Sequence, residues 1–178
     1  MSWFKRVFGG RNDMAALTAG TPAPEIAVPG ADGKKFSLQE ALKRGPVVAA
    51  FFKVSCPVCQ YAFPFLQRLY QAHGNGKVSF VGVSQDDKRN TVAFLKEFGV
   101  TFPTLLDDPN GYAVSNAYGL TNVPTWFLIG QDGQIEISSV GWVRKDIDQL
   151  NQKLASAEKI TVPQLFKPGD DVRDFRAG

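Results

Sequence analysis

Val47-Val-Ala-Ala-Phe-Phe-Lys-Val-Ser-Cys-Pro-Val-Cys59 is the stretch on which the fold turns. Its first part, Val47 to Phe52, is an unbroken apolar run, which reads as a strand buried on both faces and therefore central in its sheet. Cys56-Pro-Val-Cys59 follows where that strand gives way to a helix. The first sulfur then lies among the unsatisfied N–H groups of the helix N-terminus, a setting that favours a thiolate. Pro57 suits the first helical position, because its missing N–H would have no partner there and its φ is already helical. One turn of helix brings Cys59 back beneath Cys56, within reach of a disulfide that forms and breaks with little backbone movement. In this reading Cys56 attacks and Cys59 resolves.

Toward the N-terminus, Thr21-Pro-Ala-Pro-Glu25 and Val28-Pro-Gly-Ala-Asp-Gly33 punctuate the chain, and Asp32-Gly33 between Val28 and Phe36 suits a short hairpin turn. Ser37-Leu-Gln-Glu40 spells a capping box for a short helix to about Arg44, ended by Gly45-Pro46. On the other side, Gln60 to His73 carries Phe63, Leu66, Leu69 and Tyr70 at helical spacing, closed by Gly74-Asn-Gly76. Lys77 to Val83 reads as a second buried strand and Thr91 to Phe98 as a helix stopped by Gly99, which completes a β-α-β-α alternation. Phe102 to Leu106 is a short extended piece and Tyr112 to Tyr118 a short helix. Thr125 to Ile129 and Ile135 to Val140 flank the turn Gln131-Asp-Gly-Gln134 and form an antiparallel hairpin. Arg144 to Glu158 is an amphipathic helix with Ile147, Leu150 and Leu154 on one face. The expected architecture is an α/β protein with a mixed central sheet flanked by helices. Residues 1–18 form an extension, 19–160 the domain, and 161–178 a loosely packed tail without periodicity.

Composition narrows the chemistry. With 178 residues, 44% hydrophobic, and 14 Phe as bulky core material, the chain builds a packed core without staples. A net charge of +3 with both signs mixed along the chain gives no basic stripe, so nucleic acid is not expected as a partner. No apolar run approaches the roughly 18 residues needed to cross a bilayer. Trp3, Phe4, Val7 and Phe8 beside Lys5 and Arg6 suit one short amphipathic turn or a frayed end, and no apolar signal stretch follows them, so the cytoplasm is the expected compartment. The two cysteines are the only ones, and the loop between them is too short for a structural staple. A complete zinc site within one chain is excluded because His73 is the single histidine, although the spacing also suits half of a site completed by a second chain.

Phe51-Phe-Lys-Val-Ser-Cys-Pro-Val-Cys59 with Pro64, followed by Asn122-Val-Pro-Thr-Trp-Phe-Leu-Ile129 and Gln131-Asp-Gly133, resembles the thioredoxin superfamily and, within it, the redoxin group. The resemblance spans about Ala19 to Ala157. It implies a thioredoxin-like fold with an added N-terminal hairpin, and Val123-Pro124 as a cis-proline loop facing the cysteines. Cys56 and Cys59 are then catalytic, and Val123, Pro124, Pro57 and Val58 touch the substrate chain. Pro64 matches the family's helix-kinking proline, which frees the carbonyl of Gln60.

Departures from the family are as informative. Positions where relatives carry an internal carboxylate are Ala50 and Ala62 here, leaving water, Glu25 or another group to take the proton of Cys59. Positions that peroxidases of the group use to activate peroxide are Ala49, Lys53 and Pro124. Lys53 is also placed to favour a Cys56 thiolate. The resemblance therefore implies a monomeric thiol-disulfide oxidoreductase that needs no cofactor or metal. It would act on disulfide-containing proteins or small disulfides and draw electrons from a separate reductase or dithiol. A thiol peroxidase and a non-enzymatic redox-sensing module are the alternatives. His73 reads as a helix-end residue, and Asp86, Asp87, Asp107 and Asp108 as solvated loop acids.

Overall fold

The computed structural model describes residues 15–74 and 76–178. The segment containing Trp3, Phe4, Val7 and Phe8 lies outside the described residues, as does Asn75 in the turn after the long helix. Val47–Phe52 forms β1, and the reason for its unbroken apolar run is visible in its neighbours. Val48, Ala50 and Phe52 enter one core, while Val47, Ala49 and Phe51 enter another on the opposite face. A strand alternates its side chains between faces, so burial on both sides requires every position to be apolar.

Around β1 the remaining strands are β2 (Ser79–Ser84), β3 (Thr104–Leu106), β4 (Thr125–Ile129) and β5 (Ile135–Val140). Their order is β3-β2-β1-β4-β5, parallel from β1 through β3 and antiparallel from β1 to β4 to β5. The edge strand β5 buries Ile135, Ile137 and Ser139 and exposes the residues between them, as expected where only one face is covered. Helix α1 (Leu38–Leu42) and helix α4 (Ala113–Ala117) supply residues to the core that holds Phe51, together with Ile26. Helix α2 (Pro57–His73), α3 (Lys88–Glu97) and α5 (Arg144–Glu158) supply the core that holds Phe52. Helix α2 runs on through Pro64 to His73 with Phe63, Leu66 and Leu69 buried.

Two expectations differ from the structure. The N-terminal hairpin is a tight turn with the single bridge Pro29–Lys35 rather than a pair of strands, closed by Gly30 N–H to the Lys34 carbonyl and by Gly33 at φ +82°. Segment 161–178 is docked, not loose. Leu165 is buried, Phe166 and Val172 pack on the core, and β7 (Phe175–Arg176) pairs antiparallel with β6 (Trp142–Val143). Arg68 holds Asp170 by two bonds of 2.6 and 3.0 Å and reaches the Leu165 carbonyl at 2.8 Å. Such a segment is fixed by partners on α2 about a hundred positions earlier in the chain, which no local periodicity displays.

Candidate active site

Strand β1 ends at Phe52, and residues 53–56 turn the chain into α2. The turn is held from both sides. Asp86, at the end of β2, accepts the Val54 N–H at 2.7 Å, and the Gln60 side chain donates to the Val54 carbonyl at 2.9 Å. Cys56 caps α2 with an extended backbone, its sulfur accepting the Cys59 N–H at 3.3 Å. An N-cap acceptor satisfies one of the orphan donors of the first turn, and here that acceptor is the reactive atom. As a thiol, the same sulfur donates to the Val123 carbonyl at 3.3 Å. The Val123–Pro124 bond is cis, and its loop leads into β4, the strand beside β1.

The two cysteines stand in different surroundings. Cys56 is half-buried and lines an open cavity of about 330 Å³ with Gln85, Tyr112, Ser115, Asn122 and Val123. Cys59 is fully buried, and burial pushes its thiol far above the ordinary range, with the charge of Asp86 adding to the effect. Burial therefore favours the neutral thiol over the thiolate at Cys59. Both sulfurs are free in the structure. Pro57 occupies the first turn of α2 and Val58 packs against the core, and neither of these expected substrate contacts is among the residues that line the cavity. Val123 is the one residue, among those described, that packs against both cores.

Several candidates fall elsewhere. Glu25 accepts bonds from Ser37, Leu38 and Gln39 at the start of α1, on the far face of the sheet from Cys59, so it is engaged as a cap and is not the proton acceptor. His73 is buried between Glu158 at 2.7 Å and Asn151 at 2.8 Å and ties α2 to α5. Asp107 is also fully buried, not solvated, and accepts the Val114 and Ser115 N–H groups at the head of α4. Asp87 caps α3 through Asn90, and Asp108 holds its own loop through Asn110. Lys53 is exposed in the turn, and Ala49 is sealed within β1 and has no polar group to offer an oxygen held on Cys56. Asp86 is the residue the sequence reading missed. It reads there as one of a pair of loop acids, and its link to Val54 spans 32 positions.

Comparison with known proteins agrees with this geometry. The model of the Redoxin family matches residues 18–154. The thiol-disulfide oxidoreductase ResA of Geobacillus thermodenitrificans is 28% identical over 145 residues, covering 81% of this chain and 80% of its own. ResA of Bacillus subtilis is 29% identical over 133 residues, covering 74% of this chain and 71% of its own. Among solved structures, a thiol:disulfide interchange protein of the thioredoxin family from Chlorobium tepidum superposes with a TM-score of 0.64 at 26% identity, over 79% of this chain and 99% of that one. The thioredoxin domain of a thiol-disulfide oxidoreductase from Bacteroides vulgatus gives a TM-score of 0.69 at 22% identity, over 78% and 98% of the two chains, and shares the fold.

Proposed function

The chain belongs to the Redoxin family and is a thiol-disulfide oxidoreductase, and from that premise we propose that it runs as a monomeric reductant of disulfides in other proteins. The observation that carries this reading is the placement of the two sulfurs: Cys56 in an open cavity between an N–H donor and the Val123 carbonyl, Cys59 sealed one turn behind it.

The Cys56 thiolate attacks one sulfur of a substrate disulfide. A Cys56–substrate bond forms, and the other substrate sulfur leaves with the electron pair as a thiolate. Cys59 then passes its proton to the thiolate released in the first step or to water and attacks the Cys56 sulfur, which expels the second substrate thiolate and leaves a Cys56–Cys59 disulfide. Two electrons have passed to the substrate, and a separate dithiol or reductase must return two to the protein. The Val123 carbonyl and the cis-proline loop offer backbone against which an extended substrate chain lies. We propose the cytoplasm as the setting, because a reduced thiol pool there keeps the pair charged.

Cys56→Ser is expected to abolish reduction of insulin disulfides, and Cys59→Ser to accumulate a mixed disulfide visible on a non-reducing gel. Undiminished turnover by Cys56→Ser would overturn the assignment. Direction is tested by the redox potential. A reductant lies nearer the roughly −270 mV end of the thioredoxin-fold range than the about −120 mV end.

A further inference from the structure

The cavity beside Cys56 is lined by α4, by the loop leading to β4 and, against that loop, by Gly178. Gly178 is not part of the β-α-β framework. It is delivered by segment 170–178, which is fastened at every stage of its path. Arg68 grips Asp170, and the Tyr61 hydroxyl donates to the Asp171 carbonyl at 2.9 Å and accepts the Arg173 N–H at 2.8 Å. The Trp142 indole N–H donates to the Arg173 carbonyl at 2.6 Å, β7 pairs with β6, and the Arg176 guanidinium lies 4.7 Å from the centre of the Tyr61 ring.

At its far end the segment meets the substrate loop backbone to backbone. The Asn122 side chain donates to the Gly178 carbonyl at 3.0 Å. A Cβ on Gly178 would sit 2.6 Å from the Val123 carbonyl oxygen, and one on Gly141, where φ is +75°, would sit 2.6 Å from the Arg176 carbonyl oxygen. Only residues without side chains permit so close an approach. The Val123 carbonyl is the group that accepts from the Cys56 sulfur, so the segment touches the atom that touches the nucleophile. Among the described residues no charged side chain lines the cavity; beside the Cys56 sulfur and the apolar Leu120 and Val123, its walls offer amides, hydroxyls and backbone, the groups that recognise a polypeptide main chain.

We propose that residues 170–178 are a positioning strap that holds the Asn122–Val123–Pro124 loop where an extended polypeptide can seat beside Cys56, and that the strap thereby favours polypeptide disulfides over small ones. This rests on the reading of the chain as a disulfide reductant acting through Cys56. Segment 174–178 can be removed while Asp170, Asp171 and Arg173 keep their partners, and thermal unfolding checks that this variant remains folded.

The test compares kcat/KM on insulin with kcat/KM on oxidised glutathione, for the full chain, for the chain stopped after Arg173, and for Gly178→Ala. Loss of about one hydrogen-bonding contact from the seat predicts that the insulin-to-glutathione ratio falls about fivefold in the shortened chain, chiefly through KM for insulin. Gly178→Ala, which keeps every anchor, is expected to lower the ratio in the same direction. An unchanged ratio in both variants overturns the strap, and so does a rise, which would make the segment a lid. A full chain that reduces neither disulfide overturns the underlying reductase reading instead, and is told apart because the wild type itself fails.

Discussion

The β1–α2 junction and segment 161–178 converge on Val123 but are built by opposite means. The cap at the junction is made of neighbours: Cys56 caps the helix that begins at the next residue, and its sulfur is met by an N–H three positions on. The segment has little regular structure of its own and is held by side chains of Tyr61, Arg68 and Trp142 reaching its backbone. The first arrangement takes its cap from the helix itself and is pinned by two longer reaches, Asp86 to the Val54 N–H and the Cys56 sulfur to the Val123 carbonyl. The second requires the rest of the fold to exist, so its contribution comes only when tertiary packing is complete. The nucleophile thus sits on a locally built cap steadied by two remote contacts, and the groove beside it depends on a segment held mainly by remote side chains.

That contrast can be tested at graded strength. The largest effect is expected within the junction itself. Iodoacetamide should modify Cys56 faster than Cys59 by roughly a hundredfold or more, because Cys59 is buried and its thiol is pushed up. Mass spectrometry of the partly alkylated protein reads the order, and equal rates would erase the distinction between the two sulfurs. A smaller effect belongs to the segment. Leu165→Ala removes a buried side chain at its root and should cost about 2 kcal/mol in chemical denaturation, while the alkylation rate of Cys56 stays as it is. A parallel loss of Cys56 reactivity would show that the two regions are not independent.

The smallest effect is one of pH. The Arg68 guanidinium, helped by the Lys167 N–H, holds the Asp170 carboxyl down to about 2. A carboxyl lowered in the folded state stabilises above its unfolded value of about 3.9, and that stabilisation is lost as pH falls through the folded value. Segment 161–178 should therefore loosen between about pH 4 and pH 2 and not between pH 5 and 8. The indole N–H resonance of Trp142, bonded to Arg173, reports it. Asp170→Asn should remove the pH dependence, and an unaltered acid transition in that variant would show that another group is responsible.

What could be seen in the sequence follows the same division. The strand Val47–Phe52, the cap at Cys56 and the helix to His73 rest on local signals, and the structure has all three. The β4–β5 hairpin is equally local, with its turn at Gln131–Gln134. Asp107 and Asp108 are adjacent and identical in the sequence, yet one is sealed under α4 and the other faces solvent, because the head of α4 returns over only one of them. Asp86 and Glu25 were indistinct for a related reason. Their partners, Val54 and Leu38, lie 32 and 13 positions away, and a carboxylate bound to a backbone N–H has the same spelling as one in water. Segment 161–178 is the extreme case, since its Pro and Asp residues read as a loose end until Arg68 and Tyr61 are seen beneath them.

The seat of Val123 between the two cores has a consequence for how this enzyme tolerates change. A five-stranded sheet ordinarily insulates the packing on one face from that on the other, so substitutions accumulate on each side separately. Here both chambers end against the same side chain, and that residue's carbonyl stands at the nucleophile. Drift in either chamber is summed at one point. A substitution under α1 or α4 that displaces Val123 is therefore expected to move the carbonyl at the nucleophile as well as to lower stability.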